Sequence, residues 1–500
     1  MKRPEYLPSL VALTVLFAAP FASAQDSDIA ELKAMVREMR QTITEQNARI
    51  AALENQQARP KTKPAATTSI KSAEAPAGTK RPVEGLPSGA PIGMELSSAL
   101  HAERSTVRDA DTFGDLQQAA PRANNAPLDP ALNGFFNIPG TDTLLKIGGS
   151  ARVDAIVDFG NNGNPNQFVP STIPVPGEPG WDGGVRSTLQ AKATRLSLEL
   201  RRPVAFGDTL RVYSEYDFYD DSTSSALKFR ARHFYGQAWN FLIGHTFSAF
   251  MDVDAFPDVV DFQGPNGIVN RRQPQLRYTH PISEGECTTQ IFASIELPES
   301  KIDTDTSEFA TDSSVVSPVP DGVVGIRRES PLGHVQATAI FRDLAYEADD
   351  GPDDDVSGWG VSLSGSLNVL EKDKLSAQLT YGEGIARYIN DLSGEDLDAA
   401  LDGGDLKAIP VFATMAGYTH HWSEHWRSTL AGGYVQVDAP GSLGGFAIDH
   451  TLYGSANLMW QPTPSFRTGL EYLYGSKETL DGSEGDAQRV NFVIRYDLVR

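Results

Sequence analysis

Residues 145–158 read Leu-Lys-Ile-Gly-Gly-Ser-Ala-Arg-Val-Asp-Ala-Ile-Val-Asp, and the two faces of this stretch decide the fold. In an extended strand successive side chains point to opposite sides. Leu145, Ile147, Ala151, Val153, Ala155 and Val157 therefore share one face, while Lys146, Ser150, Arg152, Asp154 and Asp158 share the other. One face suits hydrocarbon and the other suits water. The C-terminal stretch repeats the pattern, with Val490, Phe492, Ile494, Tyr496 and Leu498 set against Asn491, Arg495 and Asp497.

Between these two stretches the chain is built of segments of roughly 9 to 15 residues with the same period, separated alternately by short turns and long polar loops, which is the pattern of an up-and-down transmembrane barrel. The alternating segments begin near Leu144, Val185, Asp208, Ala226, Trp239, Arg271, Thr288, Gly322, Gly333, Ser357, Lys374, Ile409, His425, Asp449, Phe466 and Gln488. That count, about sixteen, is even, as expected of a bacterial single-chain barrel. Short turns such as 202–207 and 421–424 belong at the periplasmic end. The acidic stretches around 303–321, 347–355, 391–405 and 481–486 belong at the outer end. Trp239, Trp359, Trp422, Trp426 and Trp460 lie at or near strand ends, where amphipathic rings favour the membrane interface.

Working outward, the N-terminus carries Lys2 and Arg3, an apolar run from about Leu10 to Phe21, and Ala22-Ser23-Ala24 before Gln25. This is an export signal, and its apolar run falls well short of the ~20 residues of an anchoring helix. A soluble β-sandwich shares the period of two but explains neither the export signal nor the asymmetric loops. The composition agrees: 40% hydrophobic residues with a mean hydropathy of -0.30 is too polar for a helical membrane protein. In a barrel only alternate residues face lipid. Removal of Lys2, Arg3 and Glu5 with the signal takes the formal charge from -22 to -23, which argues against nucleic acid as a partner.

From Ile29 to Leu53 the spacing is heptad, with Ile29, Val36, Ile43 and Ile50 at a and Leu32, Met39, Gln46 and Leu53 at d, which predicts an α-helical coiled coil. The seam leaves stoichiometry open. Residues 58–133 are rich in Pro, Ala, Thr and Ser and read as a linker. The expected organisation is a signal peptide over 1–24, a periplasmic coiled coil over 26–57, the linker over 58–133 and an all-β transmembrane barrel over 134–500. The linker's lysines could also touch anionic cell-wall polymer such as peptidoglycan.

Motifs for catalysis are missing. There is no G-x-S-x-G, H-E-x-x-H or P-loop pattern, and the single cysteine, Cys287, has no paired base, so neither an enzyme nor a cofactor is expected. His420, His421 and His425 flank a turn between two tryptophans and are not expected to hold a metal. Cationic residues carry more information, because a small anion crossing a narrow pore needs fixed positive groups to replace its hydration. Lys228, Arg230 and Arg232 fall at alternate positions of one expected strand and should point into the lumen. Arg195 shares the polar face of the second strand with Ser197, Glu199 and Arg201. Arg277 shares a face with Gln275, and Arg271 and Arg272 sit where a long loop re-enters the wall. Each of these could instead pair with lumen acids such as Glu199, Glu215 and Asp217. As a set, Arg195, Lys228, Arg230, Arg232, Arg271, Arg272 and Arg277 are the candidate pore lining. Residues 247–270 are too long for a tight turn. Phe250, Phe256 and Phe262 argue that this segment folds inward as a constriction.

Three runs carry a resemblance. Residues 134–143 (Gly-Phe-Phe-Asn-Ile-Pro-Gly-Thr-Asp-Thr) followed by Lys146-Ile147-Gly148-Gly149, residues 227–236 (Leu-Lys-Phe-Arg-Ala-Arg-His-Phe-Tyr-Gly), and Asp261-Phe262-Gln263-Gly264-Pro265-Asn266-Gly267 with Arg272-Gln273-Pro274-Gln275-Leu276-Arg277-Tyr278 together resemble the DcaP-like family of outer-membrane porins. The resemblance covers the coiled coil and the first half of the barrel, and the later strands by texture. It implies a homotrimer of sixteen-stranded barrels in outer-membrane lipid, with a periplasmic coiled-coil stem, passing small dicarboxylate-type anions. Arg230, Arg232, Arg272 and Arg277 fall within the matching runs as lumen cations. The long linker and the non-aromatic end Tyr496-Asp497-Leu498-Val499-Arg500 depart from the family pattern. Rival readings are an outer-membrane enzyme, a structural tether to the cell wall, and a general cation-preferring porin governed by its acidic loops.

Overall fold

The computed structural model describes residues 134–219, 227–283, 285–303, 313–348, 354–370 and 372–499. The expected signal peptide, coiled coil and linker lie outside them. Within them the chain forms, in order, β1 (Phe135–Asn137), β2 (Leu144–Asp158), β3 (Arg186–Gln190), β4 (Arg195–Pro203), β5 (Thr209–Asp217), β6 (Arg230–Ala238), β7 (Phe241–Phe247), β8 (Arg272–Ser283), β9 (Thr288–Glu296), β10 (Ser313–Val316), β11 (Asp321–Ser330), β12 (Gly333–Ala348), β13 (Asp354–Val369), β14 (Asp373–Glu383), β15 (Ala399–Asp402), β16 (Asp405–Ala408), β17 (Pro410–His421), β18 (Trp426–Val437), β19 (Ile448–Thr463), β20 (Phe466–Thr479) and β21 (Glu484–Val499). Successive wall strands pair antiparallel, β15 and β16 form a separate hairpin, and β2 pairs with β21, so the main sheet closes on itself. Both β3 and β4 pair with β2 and act as one wall strand interrupted at 191–194. Together with β5–β9, β11–β14 and β17–β21 they make a closed barrel of sixteen antiparallel strands. Closure leaves no sheet edge in lipid. The expected strand starts hold to within a few residues. The largest deviations are in β6, which starts at Arg230 rather than near Ala226, and β21, which starts at Glu484 rather than near Gln488.

Alternation builds the wall as anticipated. Along β13, Trp359, Val361, Leu363 and Leu367 are exposed on the outer surface, and Ser362, Ser364 and Ser366 are buried on the inner one. β21 behaves likewise, with Phe492, Ile494, Tyr496 and Leu498 outside and Arg489, Asn491, Arg495 and Asp497 inside. The five tryptophans singled out above are all exposed. Wall height varies: β7 has seven residues, whereas β12, β13, β19 and β21 have sixteen.

The interior is filled at the long-loop end. The loop between β7 and β8, residues 248–271, folds inward, and Phe250, Phe256 and Ile268 are almost wholly buried. They pack with Ile385, Tyr388 and Ile389 of the loop between β14 and β17, and with Ile340, Val411 and Val435 of the wall. Each fully buried large apolar side chain contributes on the order of 1.5–3 kcal/mol, so the loop is held by a core of its own. The wall also makes room for it. A Cβ at Gly433 would lie 2.2 Å from Asn266 Oδ1, and one at Gly417 would lie 2.5 Å from Pro257 Cβ.

Candidate functional site

The inward loop is pinned to the wall by charges at successive points along its length. Arg327 on β11 contacts Asp252 Oδ1 at 2.9 Å and Asp254 Oδ2 at 2.5 Å. His334 on β12 lies 2.8 Å from Asp252 Oδ2, and Ser364 on β13 donates to the same oxygen at 2.7 Å. Burial by itself would raise the Asp252 carboxyl, but His334 and Arg327 outweigh it and hold the group well below the usual carboxylate range. Farther along, Arg427 on β18 grips Asp258 at 2.6 Å. Glu471 on β20 accepts the backbone N–H groups of Val260 at 3.0 Å and Asp261 at 2.6 Å. Arg152 on β2 donates to the Val260 carbonyl at 2.6 Å. Buried polar groups are expensive unless paired, and here the loop's polar backbone and the wall's charges satisfy one another.

Beside the loop stands a compact arginine group. Arg232 on β6 is buried and contacts Glu215 at 2.7 Å and Asp217 at 2.9 Å, both on β5. Arg230, two residues earlier, makes a paired contact with Asp217, Nε to Oδ1 at 2.9 Å and the terminal nitrogen to Oδ2 at 2.7 Å, while a third of its side chain stays exposed. Arg195 on β4 approaches Glu215 at 3.5 Å. Arg272, at the start of β8, lies over the Phe247 ring and within electrostatic reach of Arg230, Arg232, Glu215 and Asp217. Three guanidinium groups thus contact the carboxylates of Glu215 and Asp217, and Arg272 stands near them. Tyr219 and Phe262 stack at 4.2 Å beneath them, with Arg230 over the first ring and Arg232 over the second.

The structure divides the expected cations. Arg195, Arg230, Arg232 and Arg272 come together. Arg271 stands apart, paired with Glu299 at 2.7 Å, and Arg387 reaches the same carboxylate at 2.9 Å. Burial tends to raise Glu299, but these two arginines keep it below the usual range. Arg277 is buried and donates to Gln275 and to the Phe247 carbonyl, so it supports the base of the loop. Lys228 is corrected only in its place: it precedes β6 rather than lying within it, and it is exposed in the connecting segment. Its backbone N–H still donates to the Phe218 carbonyl across the hairpin at 3.2 Å.

Several lumen arginines escaped selection. Arg152 and Arg495 were legible on polar faces, and Arg327, Arg427, Arg467 and Arg489 occupy buried inner positions of β11, β18, β20 and β21. The same alternation that marked Arg195 would have marked them. Arg387 had no such signal, because it sits in a loop and is aimed by the fold alone. It contacts Asp321 at 3.3 Å, which Arg342 also reaches at 3.2 Å.

The family model for the DcaP outer membrane protein matches residues 131–498. Among solved structures, the outer membrane channel DcaP of Acinetobacter baumannii is similar at 26% identity with a TM-score of 0.63, covering 73% of this chain and all of that one. The anion-selective porin from Comamonas acidovorans is similar at 11% identity with a TM-score of 0.47, covering 71% of this chain and all of that one. No curated protein matches the sequence.

Proposed function

The chain belongs to the DcaP outer membrane protein family, whose solved member is a channel, and from that premise we propose that it is a passive, anion-preferring channel for small organic acids of the dicarboxylate type. The observation that carries this reading is the gathering of Arg195, Arg230, Arg232 and Arg272 at one place on the inner wall, beside Glu215 and Asp217. A carboxylate solute matches the planar fork of an arginine, and a partly exposed arginine already engaged with Asp217 offers it a favourable but weak stop. Passage needs no covalent step. Each stop must be strong enough to replace hydration and weak enough to let go.

The same reading includes export by residues 1–24 and an oligomerising arm over 26–57. It also places copies of the barrel side by side, in the homotrimer that the family resemblance implies. The low wall supports the last point. Seven residues at ~3.4 Å each, tilted by roughly 40°, give β7 a height of about 18 Å against an apolar band of about 25 Å. Phe241 and Ile243 are exposed on its outer side, as is Phe234 on the neighbouring β6. A neighbouring barrel covers what so short a strand leaves uncovered.

The test is the reversal potential of the purified protein in a planar bilayer under a potassium chloride gradient, with wild type and Arg230→Ala compared. Anion preference that falls in the variant supports the channel as described. Cation preference in the wild type would favour a porin governed by its acidic loops, and no conductance would favour a tether.

A further inference from the structure

At the long-loop end, β19 and β20 carry a feature that the pore does not use. Ile448 lies opposite Thr479, yet His450 lies opposite Glu478, so the register slips at Asp449. This extra residue is a β-bulge. Regular alternation would send Asp449 and His450 to opposite faces, and a bulge re-aims a side chain. Asp449 Oδ2 accordingly lies 2.7 Å from His450 Nδ1. Beyond the ring, Glu478 Oε2 lies 3.5 Å from Nε2. The three groups offer ligand atoms within 4.8 Å of one another, and each is about one third exposed. His450 shares its face with Leu452, which is exposed on the outer surface, so the cluster sits on the outer rim.

An imidazole whose Nδ1–H donates to a carboxylate presents the lone pair of Nε2 on its other side. That lone pair faces Glu478, a second acceptor. Their 3.5 Å separation is long for an N–H···O hydrogen bond. It matches two ligand atoms that each lie roughly 2.1 Å from one tetrahedral ion, which stand roughly 3.4 Å apart. The surrounding charge points the same way. Glu478 lies directly opposite Glu484 on β21, and like charges so placed repel. Lys477 turns inward to Glu178 at 2.9 Å, so it does not relieve them.

We propose that His450 and Glu478 bind a divalent cation of the zinc class on the outer rim, with Asp449 as the positioning residue for the imidazole. An ion of this class accepts nitrogen and carboxylate oxygen together, whereas magnesium prefers an all-oxygen shell. The remaining coordination positions open to solvent, where water completes them.

Calorimetric titration of zinc chloride into the full-length protein in detergent tests this. One saturable site is expected in the wild type and in a His420→Ala, His421→Ala, His425→Ala triple variant. Binding should vanish in His450→Asn and Glu478→Gln, and weaken about 10- to 100-fold in Asp449→Asn. Equal single-channel conductance across the set establishes that each barrel is intact. Unchanged binding in His450→Asn, loss of binding in the triple variant, or displacement of zinc by an equal concentration of magnesium would each overturn the proposal.

Discussion

Arg230 and Arg232 are two residues apart on β6 and share both a face and the Asp217 carboxylate, yet they do different work. Arg232 is fully buried between Glu215 and Asp217. Its truncation removes one arginine from each of two buried carboxylates, leaving Asp217 with Arg230 and Glu215 with Arg195, and breaking a buried pair costs at most about 3–5 kcal/mol. Arg232→Ala should therefore lower the urea midpoint of unfolding, read from the mobility of unheated samples on gels. Arg230 keeps a third of its side chain exposed, and Arg230→Ala should leave that midpoint within error while shifting the reversal potential. Equal effects of the two substitutions on unfolding would mean that the exposed arginine is also structural. Alternation along the sequence placed both residues on the inner face. It could not rank them, because their partners and exposure come from neighbouring strands.

Among the elements, the inward loop and its partner between β14 and β17 pack against each other inside the barrel. Glu471 accepts two backbone N–H groups of the inward loop through one oxygen. Glu471→Ala leaves both donors buried without that acceptor, at about 1–3 kcal/mol each, and should give larger, noisier single-channel currents. The partner loop should respond to pH. Asp391 accepts hydrogen bonds from Ser171 and Thr451, and burial pushes its carboxyl up to about 6. Burial, and then the charge of Asp391, push Glu395 up to about 7. Both groups bind protons more tightly in the seated loop than in an unfolded chain. Their ionisation therefore destabilises the seated loop fully above about pH 7, and the penalty fades as pH falls through about 7 and about 6. Protease cleavage within residues 384–409 should rise from pH 5 to pH 8 in the wild type and rise less in Glu395→Gln. An identical rise in both would rule out Glu395 as a contributor.

For the whole molecule, the proposal is that the low wall at β7 and the coiled coil expected over residues 26–57 make separate contributions to assembly. Light scattering of the detergent-solubilised protein should give a mass of three chains. Deletion of residues 26–57 should make that assembly dissociate at lower temperature while leaving the conductance per barrel unchanged. A single-chain mass for the wild type would sink the trimer. The acidic loops and the arginine group beside the inward loop need not conflict at this scale. Screening limits an exposed charge to about 8 Å at physiological ionic strength, so charges beside the constriction act on a solute more strongly than those at the mouth.

By itself the sequence determined the closed antiparallel wall, the approximate number of its strands, the face that residues of regular strands present and the inward course of residues 247–270. All of these follow from local periodicity, turn length and the cost of exposing phenylalanine. Tertiary structure alone decided which cations act together. Arg195, Arg230, Arg232 and Arg272 meet because β4 and β6 both pair with β5 and the start of β8 lies one strand beyond β6, whereas Arg271 and Arg277 are drawn to Glu299 and to the base of the loop. It also decided that Lys228 falls outside β6, and that a bulge at Asp449 turns two neighbouring residues to one side. Pairing across distant strands fixes the electrostatics of a lumen, and periodicity along one strand carries no record of that pairing.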